Sequence, residues 1–395
     1  MQLRRRLWRA TRSAHGNRRG LAGLRRPVWA LRTAVGEYRS CGADVKAAGI
    51  SPLRQLSQMW WSELRYHAPA PVVRHYSFAG LSSRRSARLC VIVGASMPQV
   101  YQLARAVSDA GAANTLADKR RFAAWCEAHA LPAVPTVAEF EAGALVRLHP
   151  SDGRLPQESL FSKWGAAFGG DDTASWRYEN GRYGRGDGRH LTATDLIDEL
   201  AMQSRGGPVL LQLRLTNHAE IARLAPRALS TVRVMTIAAA GESPRFLAGL
   251  LRMGTGDATA DNFAQGGIAA PIDAETGELG DARGLDANGI THVHPIHPDT
   301  GLAIAGTRIP FWRESVDLAL RAHSLLGDLP VVGWDVAVTP CGPVLVEGNW
   351  NPCIKLLQVA TQTPMLATSL ATAVLDRLRE PLRLNDDRWI LSALA

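Results

Sequence analysis

Residues 331–352 read VVGWDVAVTPCGPVLVEGNWNP, an apolar run broken by two acids and an asparagine. The segment TPCG (339–342) has turn chemistry and its flanks are short and β-prone, so 331–349 predicts an antiparallel hairpin. Counting back from the turn sets Asp335 nearly opposite Glu347, where facing Cβ atoms lie about 5 Å apart. Glu347 and Asn349 are two apart on one strand, so their side chains leave the same face, separated by about 7 Å. Two carboxylates held that close repel each other. A hard divalent cation on oxygen ligands relieves the repulsion, and Mg²⁺ suits a few carboxylates combined with water and nucleotide phosphates. The plain alternative is a solvated hairpin face that happens to carry polar residues.

Lys163 tips the balance toward chemistry. It lies in the strand candidate LFSKW (160–164), which is followed at once by GAAFGG with Gly169 and Gly170. A strand that hands a lysine to a glycine loop can close backbone N–H groups over phosphates. The pattern is not G-x-x-x-x-G-K-S/T, because the lysine precedes the glycines and no helix with Ser or Thr follows directly. Lysine is also scarce: Lys46, Lys119, Lys163 and Lys355 are the only four in a chain with 41 arginines. A compact ammonium meets a phosphate as a point charge, unlike the planar guanidinium, so each surviving lysine invites inspection.

The 395 residues, 46% of them hydrophobic, suffice for a large core in two or three structural units. The net charge of +9 is local: residues 1–40 carry eleven Arg against one Glu, which leaves the rest at −1. The basic segment, with Trp8 and Trp29, reads first as a frayed helical arm and second as an arm that touches anionic membrane or polymer, and no specific nucleic acid is implied. Five scattered cysteines without a C-x-x-C pair indicate neither a disulfide frame nor a zinc knuckle. No signal peptide and no apolar run of about 20 residues is evident, so a cytoplasmic location is expected, with room for contact at the inner face of a membrane.

Helices are expected over 51–66, 97–110, 117–130, 194–204, 312–326 and 355–378. Strands are expected over 88–93, 160–164, 208–215, 230–239, 245–253, 331–338 and 343–349. The mixed order, with neighbouring strands joined by tight turns, argues for an α+β protein. Glycine-rich connections fall at 163–176 and 253–271. The stretch THVHPIHPDTG carries His292, His294 and His297, and its Pro and Asp-Thr-Gly favour an exposed turn over a zinc site.

The ordered set of Lys119 before a helix, Lys163 before a glycine loop, Arg233 on a strand, Asn262 before Gly-Gly and D…E-x-N resembles the ATP-grasp superfamily. More closely, ALSTVRVMT, ADNFAQGGIAAPID, HPDTG, GWDVAVTP and VLVEGNWNP resemble sugar-transfer-associated ATP-grasp proteins, relatives of α-L-glutamate ligases. The resemblance covers about residues 90–380, and GISPLRQLSQMWW (49–61) resembles the group's preceding helical region. It implies the ATP-grasp fold, two α+β subdomains that hold ATP between two sheets, preceded here by a basic helical segment. The implied division is 1–87 for that segment, 88–140 for a pre-ATP-grasp α/β region and 141–395 for the ATP-binding and catalytic region.

Carried over to this chain, the resemblance gives Lys119 and Lys163 to phosphates, with Gly169 and Gly170 in the loop above them. Gln212, Leu213, Arg214 and Leu215 match the hinge strand whose backbone meets adenine, though the glutamate frequent in such hinges is absent. Asp335, Glu347 and Asn349 match the metal ligands, with Glu347 bridging two Mg²⁺ ions that Mn²⁺ could replace. Asn262 matches an asparagine near the γ-phosphate, and Arg233 and Arg252 are placed to neutralise the transferring phosphoryl group. D-alanine:D-alanine ligases carry an Arg two positions before the first metal Asp, where this chain has Gly333.

The implied reaction joins a small-molecule carboxylate to an amine or a sugar-linked acceptor through an acyl phosphate, in cell-envelope or exopolysaccharide synthesis by analogy. Phosphoryl transfer to a hydroxyl and a noncatalytic scaffold with a basic arm are the alternatives. Substrate choice would fall to loops such as 171–190 and 280–310.

Overall fold

The computed structural model describes residues 109–164, 173–256, 261–286, 291–365 and 368–375, with isolated positions between 28 and 61. Those isolated positions are helical except Ser51, including five within the expected helix 51–66. The expected strand 88–93 and nearly all of the expected helix 97–110 lie outside the described residues.

Two helices open the ordered chain, α1 (Ala110–Ala117) and α2 (Lys119–Ala128). Asp118 separates them because its carboxylate caps the second, accepting from the N–H groups of Arg120 (2.9 Å) and Arg121 (3.3 Å). The sequence reading had missed α1.

The first sheet follows: β1 (Thr136–Glu141), β2 (Ala144–Leu148), β3 (Leu160–Trp164), β4 (Thr173–Glu179), β5 (Arg182–Gly184), β6 (His190–Leu191) and, after helix α3 (Ala193–Gln203), β7 (Val209–Leu213). Their order is β2-β1-β7-β3-β4-β5-β6. Leu196 and Leu200 of α3 pack on Phe140, Leu160, Trp176, Val209 and Leu211 from one face of this sheet. Strand alternation therefore leaves Phe161, Lys163, Leu210 and Gln212 for the other face.

After α4 (Ala219–Leu224) comes the second sheet: β8 (Thr231–Ile237), β9 (Arg245–Met253), β10 (Ile268–Ile272), β11 (Ala282–Leu285), β12 (Thr291–His294), helix α5 (Trp312–Leu325), β13 (Val331–Thr339) and β14 (Gly342–Asn349). Their order is β12-β11-β10-β9-β8-β13-β14, all antiparallel. Val232, Val234, Leu251, Trp334, Val336 and Leu345 form its apolar face and pack with Leu116, Phe122, Trp312 and Leu318 from α1, α2 and α5. Alternate residues on the other face include Thr231, Arg233 and Asp335, all buried despite their polarity. Helix α6 (Ile354–Thr361) lies over β9, β10 and β11, fastened where Arg283 Nη1 donates to the Ala360 carbonyl at 2.9 Å. Helix α7 (Ser369–Leu375) contacts β8 and β13.

The expected single helix 355–378 is thus two. Gln362 adopts a left-handed backbone (φ 54°), and Pro364 follows close behind, which together stop the first helix. No helix among the described residues is long and apolar enough to cross a membrane.

Candidate active site

The hairpin forms as expected, with Asp335 paired to Glu347 and Gly333 to Asn349 across β13 and β14, and Arg233 beside Asp335 on β8. A bulge between Asp335 and Val336 resets the register below the acidic pair without moving either acid off the face. Gly333 has no room for a side chain: a Cβ there would lie 2.6 Å from Pro352 Cβ and 3.1 Å from Met235 Sδ. Arg233 reaches the space from the neighbouring strand instead, its Cδ 3.3 Å from the same point. Arg233 on β8 thus brings a guanidinium to the side of Gly333.

Asp335 is relieved of repulsion by protein cations. Arg233 binds it through Nε and, at 3.0 Å, through Nη2 to Oδ2, while Arg252 Nη2 reaches Oδ2 at 3.1 Å. Burial alone would push the Asp335 carboxyl up, but Arg233 and then Arg252 hold it below its ordinary range. Burial also works against the Arg233 charge, and Asp335 more than compensates, leaving its pKa raised.

Two residues absent from the sequence reading complete this network. Thr231 Oγ1 accepts from Arg252 Nε (3.0 Å) and Nη2 (2.7 Å), and Asp261 accepts from the Thr231 N–H (2.8 Å) and hydroxyl (2.5 Å). Asp261 also pairs with Arg252 at 3.2 Å, and burial raises its carboxyl pKa despite that neighbour. The clue to Thr231 was T-x-R on a strand, which sets Thr231 and Arg233 on one face. Asp261 sat unread beside Asn262.

The facing wall carries lysines. Lys163 on β3 is 8% exposed, and burial lowers its pKa to about 8, with Glu347 acting in the opposite direction and Lys119 in the same one. Lys119, first residue of α2, donates from Nζ to the Trp164 carbonyl at 3.1 Å; burial lowers its pKa too, again opposed by Glu347. Glu347 therefore stands in the field of Lys119, Lys163 and Arg233 at once. On the same sheet Gln212 is buried, with Nε2 donating to the Val134 carbonyl (3.3 Å). The N–H groups of Leu213 and Arg214 are taken by Pro135 (3.0 Å) and Ser159 (2.9 Å), and Leu215 follows just beyond β7. Gly169 and Gly170 lie outside the described residues.

Asn262 is half-buried, and its carbonyl accepts from the N–H groups of Gln265 and Gly267, each at 3.1 Å. Gly267 must be glycine for that turn to close, since a Cβ there would sit 2.9 Å from the Asn262 oxygen.

The His-Pro-Asp-Thr-Gly loop corrects an expectation. His297 is fully buried rather than exposed, its Nδ1 accepting from the Asp299 N–H at 3.3 Å. Asp299 in turn accepts from the Gly256 N–H at 2.9 and 3.1 Å, so the loop fastens the chain that leads toward Asn262. Among the described residues no group of three or more His, Cys, Asp or Glu is arranged to hold a metal ion. The hairpin trio falls outside such a count, because its third donor is an amide.

Two antiparallel sheets with lysines on one and an acidic hairpin on the other have the layout of an ATP-grasp protein. The chain belongs to the sugar-transfer-associated ATP-grasp family, which it matches over residues 99–373. No curated protein matches it in sequence. Similar solved structures include a D-alanine-D-alanine ligase from Coxiella burnetii (10% identity, TM-score 0.38, 73% of this chain and 64% of that one). An L-amino acid ligase from Bacillus licheniformis is similar at 10% identity and TM-score 0.37, over 67% of this chain and 49% of that one. The ADP complex of an N5-carboxyaminoimidazole ribonucleotide synthetase aligns at 10% identity and TM-score 0.35, over 61% of this chain and 46% of that one. The chain spans less than two thirds of the length of each of these three.

Proposed function

We propose that the chain is an ATP-dependent ligase that activates a carboxylate as an acyl phosphate and transfers the acyl group to an amine or a sugar-linked nucleophile. The observation that carries this reading is Lys163, a buried ammonium with no carboxylate at hydrogen-bonding distance among the described residues, set before a glycine-rich stretch of sequence and facing Glu347. A buried cation of that kind calls for an anion, and a polyphosphate supplies it.

The donor set fits a hard cation. The side chains of Glu347 and Asn349 accept no hydrogen bond from the described residues. Asp335 receives three N–H donors, which leaves one of its roughly four lone-pair sites, on Oδ1. Asp335, Glu347 and Asn349 would hold Mg²⁺ there, and the ion supplies charge neutralisation and alignment for the phosphates.

The chain's own groups do the rest. Lys119 and Lys163 bind the phosphates of ATP, and the residues after β7 present backbone groups to the base. Arg233 and Arg252 are held rigidly by Asp335, Thr231 and Asp261, so their positive ends are preorganised where negative charge grows on the transferring phosphoryl group. Asn262, on its closed turn, orients that group. The substrate carboxylate oxygen attacks the γ-phosphorus in line and the β–γ bridging bond breaks. ADP leaves, the acceptor attacks the acyl carbon, and phosphate departs. No side chain forms a covalent bond, so the account requires alignment and electrostatics alone.

A screen of ADP release against amino acids and sugar acids tests the reading: one acid with its acceptor should give ADP and phosphate in equal amounts. Retention of the phosphoryl group on the product would point to a kinase instead, and no release with any acid would refute the assignment.

A further inference from the structure

The two sheets are stitched together along one strip. On the lead into β1, the Val134 N–H donates to the Leu345 carbonyl of β14 at 3.2 Å, and the Leu345 N–H donates to the Pro132 carbonyl at 2.9 Å. The same segment is fastened to β7, where the Leu213 N–H donates to the Pro135 carbonyl at 3.0 Å and Gln212 Nε2 to the Val134 carbonyl at 3.3 Å. Beyond β7 the chain crosses to β13, and the His218 N–H donates to the Val338 carbonyl at 2.8 Å. This strip is a hinge at one end of the first sheet. Thr136 of β1 and Leu160 of β3 lie there, against Gln212 and Leu213. At the other end Phe140 and Trp164 both lie against Val209, about 13 Å away along β7.

At that far end α2 makes contact again. The helix belongs to the second sheet: Phe122 and Cys126 share a core with Trp334 and Leu345. Leu116 of α1 presses on Gly348, its Cδ2 only 2.7 Å from where a Cβ would stand. Yet the first two residues of α2 reach across to the first sheet. Lys119 Nζ donates to the Trp164 carbonyl at 3.1 Å, and Arg120 Nη1 donates to Glu141 Oε2 at 2.8 Å. Trp164 ends β3 and Glu141 ends β1, the two strands that flank β7. Trp164 is itself seated, since a Cβ on Gly206 would lie 2.5 Å from its indole. Lys163 lies one residue inward from this contact.

We propose that Lys119 and Arg120 form a clasp that holds the two sheets together at the end of the cleft opposite the hinge, and that the clasp opens to admit the ligand. Glu141 is half exposed, so its ion pair breaks and re-forms at little cost. That the ligand is a nucleotide rests on the proposed function; the clasp itself does not.

The test uses the full chain, first without nucleotide. Spin labels on Met202→Cys and Leu325→Cys, both exposed and on different halves, report the gap by pulsed electron resonance once Cys41, Cys90, Cys341 and Cys353 are replaced by serine; Cys126 is buried and stays unlabelled. The labelled chain should give one narrow distance. Arg120→Gln with Lys119→Met should add a population at longer distance. Arg120→Glu, which sets two acids face to face, should do the same, and adding Glu141→Arg to it should restore the narrow distance. An unchanged distance in variants that circular dichroism shows to be folded, or no recovery on exchanging the pair, overturns the proposal. The second arm adds ADP with Mg²⁺ and follows association by stopped flow. Loss of a cation slows an anion's approach on charge alone, whereas Arg120→Gln should speed association about two- to five-fold, the worth of an exposed ion pair. Slower or unchanged association would overturn the opening step. Absence of ADP binding in every variant would refute the nucleotide reading, while the first arm still decides the clasp.

Discussion

The two walls of the cleft both carry buried cations and are built on opposite principles. On the second sheet the arginines are committed: Arg233 and Arg252 are locked on Asp335, Thr231 and Asp261, leaving a rigid, internally neutralised platform. On the first sheet Lys163 is buried and makes no ion pair among the described residues, and Glu347 favours its charge. The contrast teaches where an anion is awaited. Guanidinium forks suit fixed bidentate frames, while a desolvated ammonium is easily shifted and responds to an arriving charge.

The largest expected effect comes from the acid that joins the two walls. Glu347→Gln keeps volume and loses one charge, and ADP release should fall about 10³-fold with the fold intact. Normal ADP release would show that Glu347 is not linked to the nucleotide. Asp335→Ala probes the committed wall: with Arg233 left buried and unpaired, denaturant melts should lose about 3–5 kcal/mol. A loss below about 1 kcal/mol would mean that the ion pair is no more than a surface contact.

Lys163→Ala probes the awaiting wall. Nucleotide affinity by calorimetry should drop about 10- to 100-fold while stability holds or rises, since a buried charge is removed. Equal loss of stability in Lys163→Ala and Asp335→Ala would erase the contrast. Smallest of all, Asp261→Asn keeps the hydrogen bonds of Thr231 but slackens Arg252, costing about 1–2 kcal/mol in melts and lowering the ADP-release rate without changing nucleotide affinity.

How much of this was legible in the sequence follows from what each element buries. The hairpin, its facing acids and the β8 and β9 strands were readable because their apolar alternation is strong and their turn residues distinctive. Eight strands were not read: β2, β11 and β12, since ALVRL, ARGL and THVH carry little apolar signal and pair at or near sheet edges, β5 and β6, which are only three and two residues long, and β1, β4 and β10. Lys163 stood out through its scarcity and the glycines after it. Asp261 and Thr231 did not, because their role is to hold Arg252, and a side chain that works through another leaves no spacing to read. The reading also credited a metal with relieving the acidic pair, where Arg233 and Arg252 already stabilise Asp335.

Proton uptake on nucleotide binding tests the central claim most directly. Lys163, at about 8 instead of the usual 10.5, is largely neutral at pH 8.5, and phosphates beside it favour the charged form. Calorimetric titration of ADP with Mg²⁺ in buffers of different ionisation enthalpy should therefore show net proton uptake at pH 8.5. The uptake should shrink toward zero at pH 7, where the ammonium is already protonated, and vanish in Lys163→Met. Binding with no uptake at pH 8.5, or the same uptake in Lys163→Met, would contradict the account.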